Sequence, residues 1–298
     1  MFELAWFAGG TLAAFLLTPW AVRAARYVGW VDPRPGDHLA QSRKRQREPV
    51  PVAGGVLLVA LLLGVSSLLG GTLGLLAGVS AFVSIALAGL VGMLDDGLRG
   101  GLAPLPKVAL QAGAALPHAL YLGVEHGPAA GLGFLLFAIV AQNAANTFDH
   151  QHGFCGVLGI FGLAGPFPWL AGTVAGFVPY NLQVDREGGS RIYLGDAGSH
   201  LIGMAIAVNP AAWPVLALPL ADLGRLAFVR LQAGSRPWRG DRRHLGHRLE
   251  DAGFNAYQRA GLVACAVLPT AFVGPALALA IAAMALSGLL MLAERRSG

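Results

Sequence analysis

The sequence predicts an all-α polytopic membrane protein: about nine full transmembrane helices plus a re-entrant or half-length hairpin near 154–181. Three observations predict it. Of the 298 residues, 55% are hydrophobic and only 12% charged, about half the roughly 25% charged residues of an ordinary soluble domain. Apolar runs recur from end to end, most of them close to the about 20 residues needed to cross the hydrocarbon core. The basic residues lie between alternate runs, which gives the chain an orientation. This composition excludes a disordered chain, a disulfide scaffold and most soluble enzymes. The two cysteines, Cys155 and Cys265, both sit inside apolar runs and support no disulfide framework.

In chain order the expected spans are 4–22, 50–70, 73–94, 107–124, 128–147, 199–211, 213–231, 257–273 and 275–293, with 199–211 short enough to need flanking residues. Residues 1–22 lack a basic leading region, and Arg23 and Arg26 follow the apolar run, so the pattern is not that of a cleavable signal peptide. The stretch 154–181 is apolar but interrupted by Gly165-Pro166-Phe167-Pro168. Proline removes a helix donor and clashes with the preceding turn, so two half-length helices are expected there. Such a hairpin is allowed only where protein or water covers the free backbone.

With the N-terminus outside and 154–181 returning to the side it left, all 21 Lys and Arg fall on cytoplasmic loops or the cytoplasmic ends of spans. The opposite loops, 70–72, 122–127, 208–213 and 273–276, contain none. A full crossing at 154–181 would export Arg225, Arg230 and the basic stretch 234–248. The chain is therefore expected to form a single integral membrane domain, 1–298. Its cytoplasmic loops lie near 23–49, 95–107, 148–153, 182–198 and 232–256, and its C-terminus is cytoplasmic. The net charge of +5 follows this one-sided distribution and does not point to nucleic acid.

The acids are few and sit at span ends: Asp95-Asp96, Asp149 after Asn143 and Asn146, Asp196 in Gly195-Asp196-Ala197-Gly198-Ser199, and Asp222. Singly, each reads as a cap or an interfacial group. Together they fall on the same predicted face. Paired carboxylates with further Asp and Asn side chains make a hard, oxygen-rich site suited to Mg²⁺. The glycines around Asp196 open a helix whose free N–H groups favour phosphate. The loop 232–256 adds Arg236, Arg239, Arg242, Arg243, His244, His247 and Arg248. A polycationic loop beside a carboxylate centre suits phosphate or diphosphate chemistry at a membrane surface. Arg43-Lys44-Arg45-Gln46-Arg47 reads as a headgroup anchor that does not exclude a substrate role. His118 and the scattered Trp residues read as packing or interfacial anchors.

In order along the chain, these segments resemble one family. They are Gly29-Trp30-Val31-Asp32 with Arg43-Lys44 and Pro49 to Gly55; Gly92-Met93-Leu94-Asp95-Asp96 with Pro106-Lys107 and Gln111; Asn143 to Asp149; Gly176 to Asn181 with Arg191 to Ser199; Pro219 to Asp222; and Asp241 to Leu249. The family is the polyprenyl-phosphate N-acetylhexosamine-1-phosphate transferases. The resemblance implies that a UDP-linked amino sugar gives its sugar-1-phosphate to a polyprenyl phosphate, such as undecaprenyl phosphate, releasing UMP. It implies Asp196 as principal Mg²⁺ ligand with Asp149 beside it, and Mn²⁺ as a substitute ion. Asp95, Asp96, Asp149 and Asp196 would be the catalytic set. Lys44, Lys107, Asn143, Asn146, His152, Asn181, His244, His247 and Arg248 would bind substrate. It further implies a bacterial-type cytoplasmic membrane, a site facing the cytoplasm, and the option of a homodimer.

Three features depart from the family pattern. The second acid of its Asp-Gly-x-Asp-Gly is here His152, a histidine of its cluster is here Gly246, and the region 153–181 is shortened. A member that binds lipid phosphate or nucleotide without turnover is thus the alternative to an active transferase. A cation- or proton-coupled transporter is the remote alternative, and it predicts acids deep within the spans.

Overall fold

The computed structural model describes residues 2–32, 48–66, 75–98, 100–183, 190–235 and 243–297. The helices are α1 (Phe2–Val28), α2 (Gly54–Ser66), α3 (Leu75–Gly97), α4 (Pro104–His126), α5 (Pro128–Asp149), α6 (Phe154–Leu163), α7 (Pro168–Leu182), α8 (Gly195–Ala207), α9 (Ala217–Gln232), α10 (Leu245–Asp251), α11 (Ala256–Val267) and α12 (Pro275–Ser297). Turns of 3₁₀ helix at Pro210–Leu216 and Leu268–Phe272 extend α9 and α11. The only strands among the described residues are β1 (Val31–Asp32) and β2 (Val50–Pro51), paired antiparallel.

An all-α membrane architecture is thus present. Five of the described helical segments are long and apolar enough to cross a membrane: Glu3–Val28, Leu76–Gly97, Pro128–Asp149, Pro210–Gln232 and Pro275–Arg296. The expected span at 199–211 is instead α8, a helix of only 13 residues. Every residue from Ala197 to Ala207 is buried, so this helix lies inside the bundle against α2, α3, α5 and α6. Hydropathy cannot distinguish a helix wrapped in protein from one wrapped in lipid.

The break at 164–167 divides α6 from α7 as the prolines predict. With 10 and 15 residues, the two helices reach only about 15 and 22 Å at 1.5 Å per residue, too short for a hydrocarbon core of about 30 Å. Protein covers them. In α6, Phe154, Leu158 and Leu163 are fully buried, and α7 lies along α1. Glycine makes that contact close. A Cβ added at Gly172 would stand 2.0 Å from the Phe7 carbonyl oxygen, and one at Gly176 would stand 2.2 Å from that of Thr11. Small residues four apart are the usual means by which membrane helices bring their backbones together. Tyr180 Oη donates to the Phe15 carbonyl at 3.0 Å and pins the far end. Gly172→Leu is expected to separate α1 from α7 and to lower stability by about 1–3 kcal/mol, seen as a lower thermal midpoint in detergent.

Glycines also bring the helices around α8 together. A Cβ at Gly92 of α3 would lie 2.2 Å from the Asp196 carbonyl oxygen, and one at Gly55 of α2 would lie 2.1 Å from the Gly198 nitrogen. Before α8, the chain at 193–194 is fastened to the segment leading into α2. Tyr193 N–H donates to Pro51 at 2.8 Å, and Gly54 and Gly55 N–H donate to Tyr193 and Leu194 at 3.0 and 2.7 Å. The carboxyl ends of α3 and α5 and the amino ends of α4 and α8 consequently meet at one end of the bundle.

Candidate active site

Asp95 and Asp96 occupy the last turn of α3 but face different partners. Asp95 Oδ1 accepts the Leu102 N–H at 2.6 Å, and its Oδ2 accepts from Lys107 Nζ at 3.2 Å. Lys107, in the first turn of α4, also pairs with Asp196 Oδ2. One ammonium thus joins the two carboxylates. Asp96 instead uses both oxygens on the backbone of α8, accepting the Asp196 N–H at 2.9 Å and the Ala197 N–H at 3.0 Å. An acidic side chain at a helix amino end satisfies orphan donors and complements the helix dipole.

This corrects one expectation. The opening of α8 does not offer free N–H groups to a phosphate, because Asp149 faces that of Gly195, Asp96 takes those of Asp196 and Ala197, and Gly55 packs against Gly198. Gly195, at φ +75°, allows the turn, and a Cβ there would lie 2.6 Å from Asp96 Oδ2.

Asp149 ends α5 facing the backbone N–H of Gly195, close enough to Asp196 and Asp96 for their charges to act on it. A polar chain continues inward. Asn143 Nδ2 donates to Gln111 Oε1 at 2.8 Å, and Gln111 Nε2 lies 3.2 Å from His200 Nε2. That histidine nitrogen in turn stands 4.0 Å from Asp196 Oδ2. Asn146 Nδ2 is buried with no hydrogen-bond partner among the described residues.

Four aspartates thus converge with one lysine. Among the described residues, no three His, Cys, Asp or Glu side chains are already gathered as a metal-ligand set. The donors are nonetheless the hard carboxylate oxygens that Mg²⁺ takes, and the Lys107 ammonium seated between Asp95 and Asp196 shows that this place accepts positive charge.

Asn181 is buried and spent on the backbone, accepting the Gly153 N–H at 2.6 Å and donating to the Ile192 carbonyl at 3.0 Å. It joins the turn after α5 to the approach to α8. His152 stacks on Tyr193, with ring centroids 5.6 Å apart. Burial, reinforced by the Arg259 charge and opposed by Glu250, pushes its imidazole down to about 4. His152 is therefore neutral near pH 7 and supplies none of the charge an aspartate would bring. Arg248 pairs with Glu294 of α12 at 2.8 Å. Lys44 lies outside the described residues.

His244 and His247 flank the start of α10, which hangs from α9. Buried Asp222 accepts the Leu245 N–H at 3.1 Å and two bonds from Arg225, at 3.0 and 2.6 Å, while Arg225 also donates to the Arg243 carbonyl at 2.7 Å. His244 stacks on His150 at 5.3 Å with its Nε2 3.2 Å from Arg230, and Gln151 lies 3.0 Å from His247 Nδ1. The histidines therefore pack on the turn that follows Asp149. Asp222→Asn leaves one acceptor where three bonds now end. It is expected to cost about 1–2 kcal/mol, read as a lower thermal midpoint and faster proteolysis near residue 243.

Sequence reasoning missed His200, Gln151, His150 and Tyr193 as neighbours of the cluster. His200 stands four residues after Asp196, the helical spacing that places two side chains on one face. No comparable signal marks Gln151.

Comparison with known proteins supplies the family. A model described as glycosyl transferase family 4 matches residues 78–212, a segment that holds Asp95, Asp96, Lys107, Asp149 and Asp196 and omits α10. The chain is 30% identical to an undecaprenyl-phosphate alpha-N-acetylglucosaminyl 1-phosphate transferase of Yersinia pestis, over 64% of each chain. It thus spans just under two thirds of that relative. An Escherichia coli K12 protein of the same name is 26% identical over 88% of this chain and 82% of its own. A Streptomyces coelicolor protein named as a glycosyltransferase is 32% identical over 95% of this chain and 75% of its own. With that identity over most of both chains, and with the matched segment holding the aspartate cluster, the chain belongs to glycosyl transferase family 4.

Proposed function

We propose that this protein transfers a sugar-1-phosphate, that of an N-acetylhexosamine, from a UDP-sugar to a polyprenyl phosphate. The products are a polyprenyl-diphosphate sugar and UMP. The observation that carries this reading is the convergence of Asp95, Asp149 and Asp196 with Lys107 at one end of the bundle. The names of the Yersinia and Escherichia relatives, which specify undecaprenyl phosphate and a 1-phosphate transfer, support the substrate classes. The membrane orientation follows from the basic loops: this end faces the cytoplasm of a bacterial inner membrane, where a nucleotide sugar is available.

In the reaction, an oxygen of the lipid phosphate attacks the sugar-bearing phosphorus of the donor. The bond to the bridging oxygen breaks, and that oxygen leaves with UMP. Mg²⁺ held by Asp196 and Asp149 would supply charge neutralisation on the diphosphate. Lys107, which pairs with Asp196, would stabilise charge on the departing phosphate. Asp95 Oδ2, which Lys107 now contacts, would take the remaining proton of the lipid phosphate. Asp96 would act through α8, holding Asp196 in place. His244, His247 and Arg248 lie on or beside α10 and would meet the donor from its far side. Catalysis of this kind rests on positioning and electrostatics rather than covalent chemistry.

A protein that binds these ligands without turnover is the second reading. The neutral, stacked His152 favours it, because the family's second acid is gone. The test is UMP release by purified protein given undecaprenyl phosphate, Mg²⁺ and a panel of UDP-sugars. Release that requires both lipid and metal supports the transferase. Binding of a UDP-sugar with no UMP supports the second reading, and His152→Asp is then the rescue to try.

A further inference from the structure

Gln151 sits in the turn between α5 and α6 and is buried at 7% exposure. Its stem lies directly over Gly246. A Cβ built on Gly246 would stand 2.0 Å from Gln151 Cγ and 3.0 Å from its Cβ and Cδ. No side chain at 246 can coexist with this position of Gln151. The glycine that stands at 246 in place of a family histidine therefore leaves the volume that Gln151 fills.

The Gln151 amide is also placed to act. Its nitrogen lies 3.0 Å from His247 Nδ1, and Glu250 Oε2 stands 3.4 Å from the same atom. The two contacts are exclusive: Gln151 Nε2 donates to an unprotonated Nδ1, which places the ring proton on Nε2, whereas Glu250 accepts only from a protonated Nδ1. The opposite edge is left open. His247 is 6% exposed and its Nε2 is buried with no hydrogen-bond partner among the described residues. A buried polar atom without a partner is uncommon enough in folded proteins to imply that something else satisfies it.

We propose that Gln151 and Gly246 form a matched pair that positions His247. Gln151 fills the volume left at 246 and holds the Nδ1 edge, so that Nε2 is presented to an oxygen of the nucleotide-sugar donor. Gln151 is a positioning residue, acting through His247. The donor as ligand rests on the transferase reading above; the pairing itself does not.

The test uses the full chain in detergent with four variants: Gln151→Met, Gln151→Ala, Gly246→His, and Gln151→Ala with Gly246→His. Methionine keeps the volume of glutamine and removes the amide, so it separates packing from positioning. Gln151→Met is expected to lower the thermal midpoint less than Gln151→Ala does, while raising the donor KM about tenfold, the size of one lost hydrogen bond. The KM for lipid phosphate should stay within twofold. Gly246→His alone should lower the thermal midpoint, and adding Gln151→Ala should restore much of it. The ¹⁵N imidazole signal of His247, assigned by its loss in His247→Gln, should shift in Gln151→Met. A donor KM and a His247 signal both unchanged in Gln151→Met would reduce Gln151 to packing, and additive midpoint changes in the double variant would dissolve the pair. If wild-type protein releases no UMP, the transferase reading fails by itself. The midpoint cycle and the His247 signal still decide the pairing.

Discussion

Asp196→Asn is expected to reduce UMP release at least about 1,000-fold while the protein remains folded. Asparagine keeps the shape of the side chain but removes the charge that Lys107 contacts and that faces Asp149 across Gly195. Loss of a single preorganised electrostatic group commonly costs about 100- to 1,000-fold in rate, and Asp196 is assigned both the metal and the alignment of Lys107. Stability should change little, because Asp95 still pairs with Lys107 at 3.2 Å. The check is UMP release and thermal unfolding on the same preparation. A variant that unfolds instead would mean that Asp196 serves the fold.

Asp96→Ala should behave differently from its neighbour. Asp96 gives both oxygens to the first N–H groups of α8, and hydrogen bonds to a charged group contribute about 1.5–3 kcal/mol each. Alanine leaves those donors without an acceptor, so a loss of about 3 kcal/mol is expected. A roughly 100-fold loss of turnover should accompany it as Asp196 shifts with the end of its helix. Asp96→Asn, which can accept only one of the two bonds, should fall between. Asp95→Ala removes none of this bracing and is expected to lose activity with a smaller loss of stability. Equal unfolding midpoints for Asp95→Ala and Asp96→Ala would contradict this division of roles.

The membrane class, the interrupted hairpin and the gathering of polar residues at one end were legible in the sequence. Each depends on a one-dimensional property: the length of an apolar run, Pro166 and Pro168 inside one, or the side on which Lys and Arg fall. His118 also reads correctly as a packing residue. It is buried, bonded to Ser80 at 3.0 Å and set edge-on against Phe134.

What was not legible depends on backbone distance. Asp96 reaches α8 because Gly92 lets α3 approach the Asp196 backbone, and no feature of Gly92-Met93-Leu94-Asp95-Asp96 distinguishes its two acids. Asn181 resembles a ligand-binding asparagine in sequence, yet its amide ties Gly153 to Ile192. The short α8 passes as a membrane span because a protein-covered helix is as apolar as a lipid-facing one. Asp95, Asp96, Asp149 and Asp196 lie at helix ends, away from the mid-span positions a transporter would use, whereas Asp222, expected at a span end, stands midway along Pro210–Gln232.

The most direct measurement uses a UDP-N-acetylhexosamine labelled with ³²P on the phosphate that bears the sugar, supplied with undecaprenyl phosphate and Mg²⁺. Transfer of sugar-1-phosphate predicts that the label moves to the lipid fraction while unlabelled UMP is released, with both lost in Asp196→Asn. Label retained in released UDP, beside a lipid that has gained sugar alone, would contradict the proposed reaction.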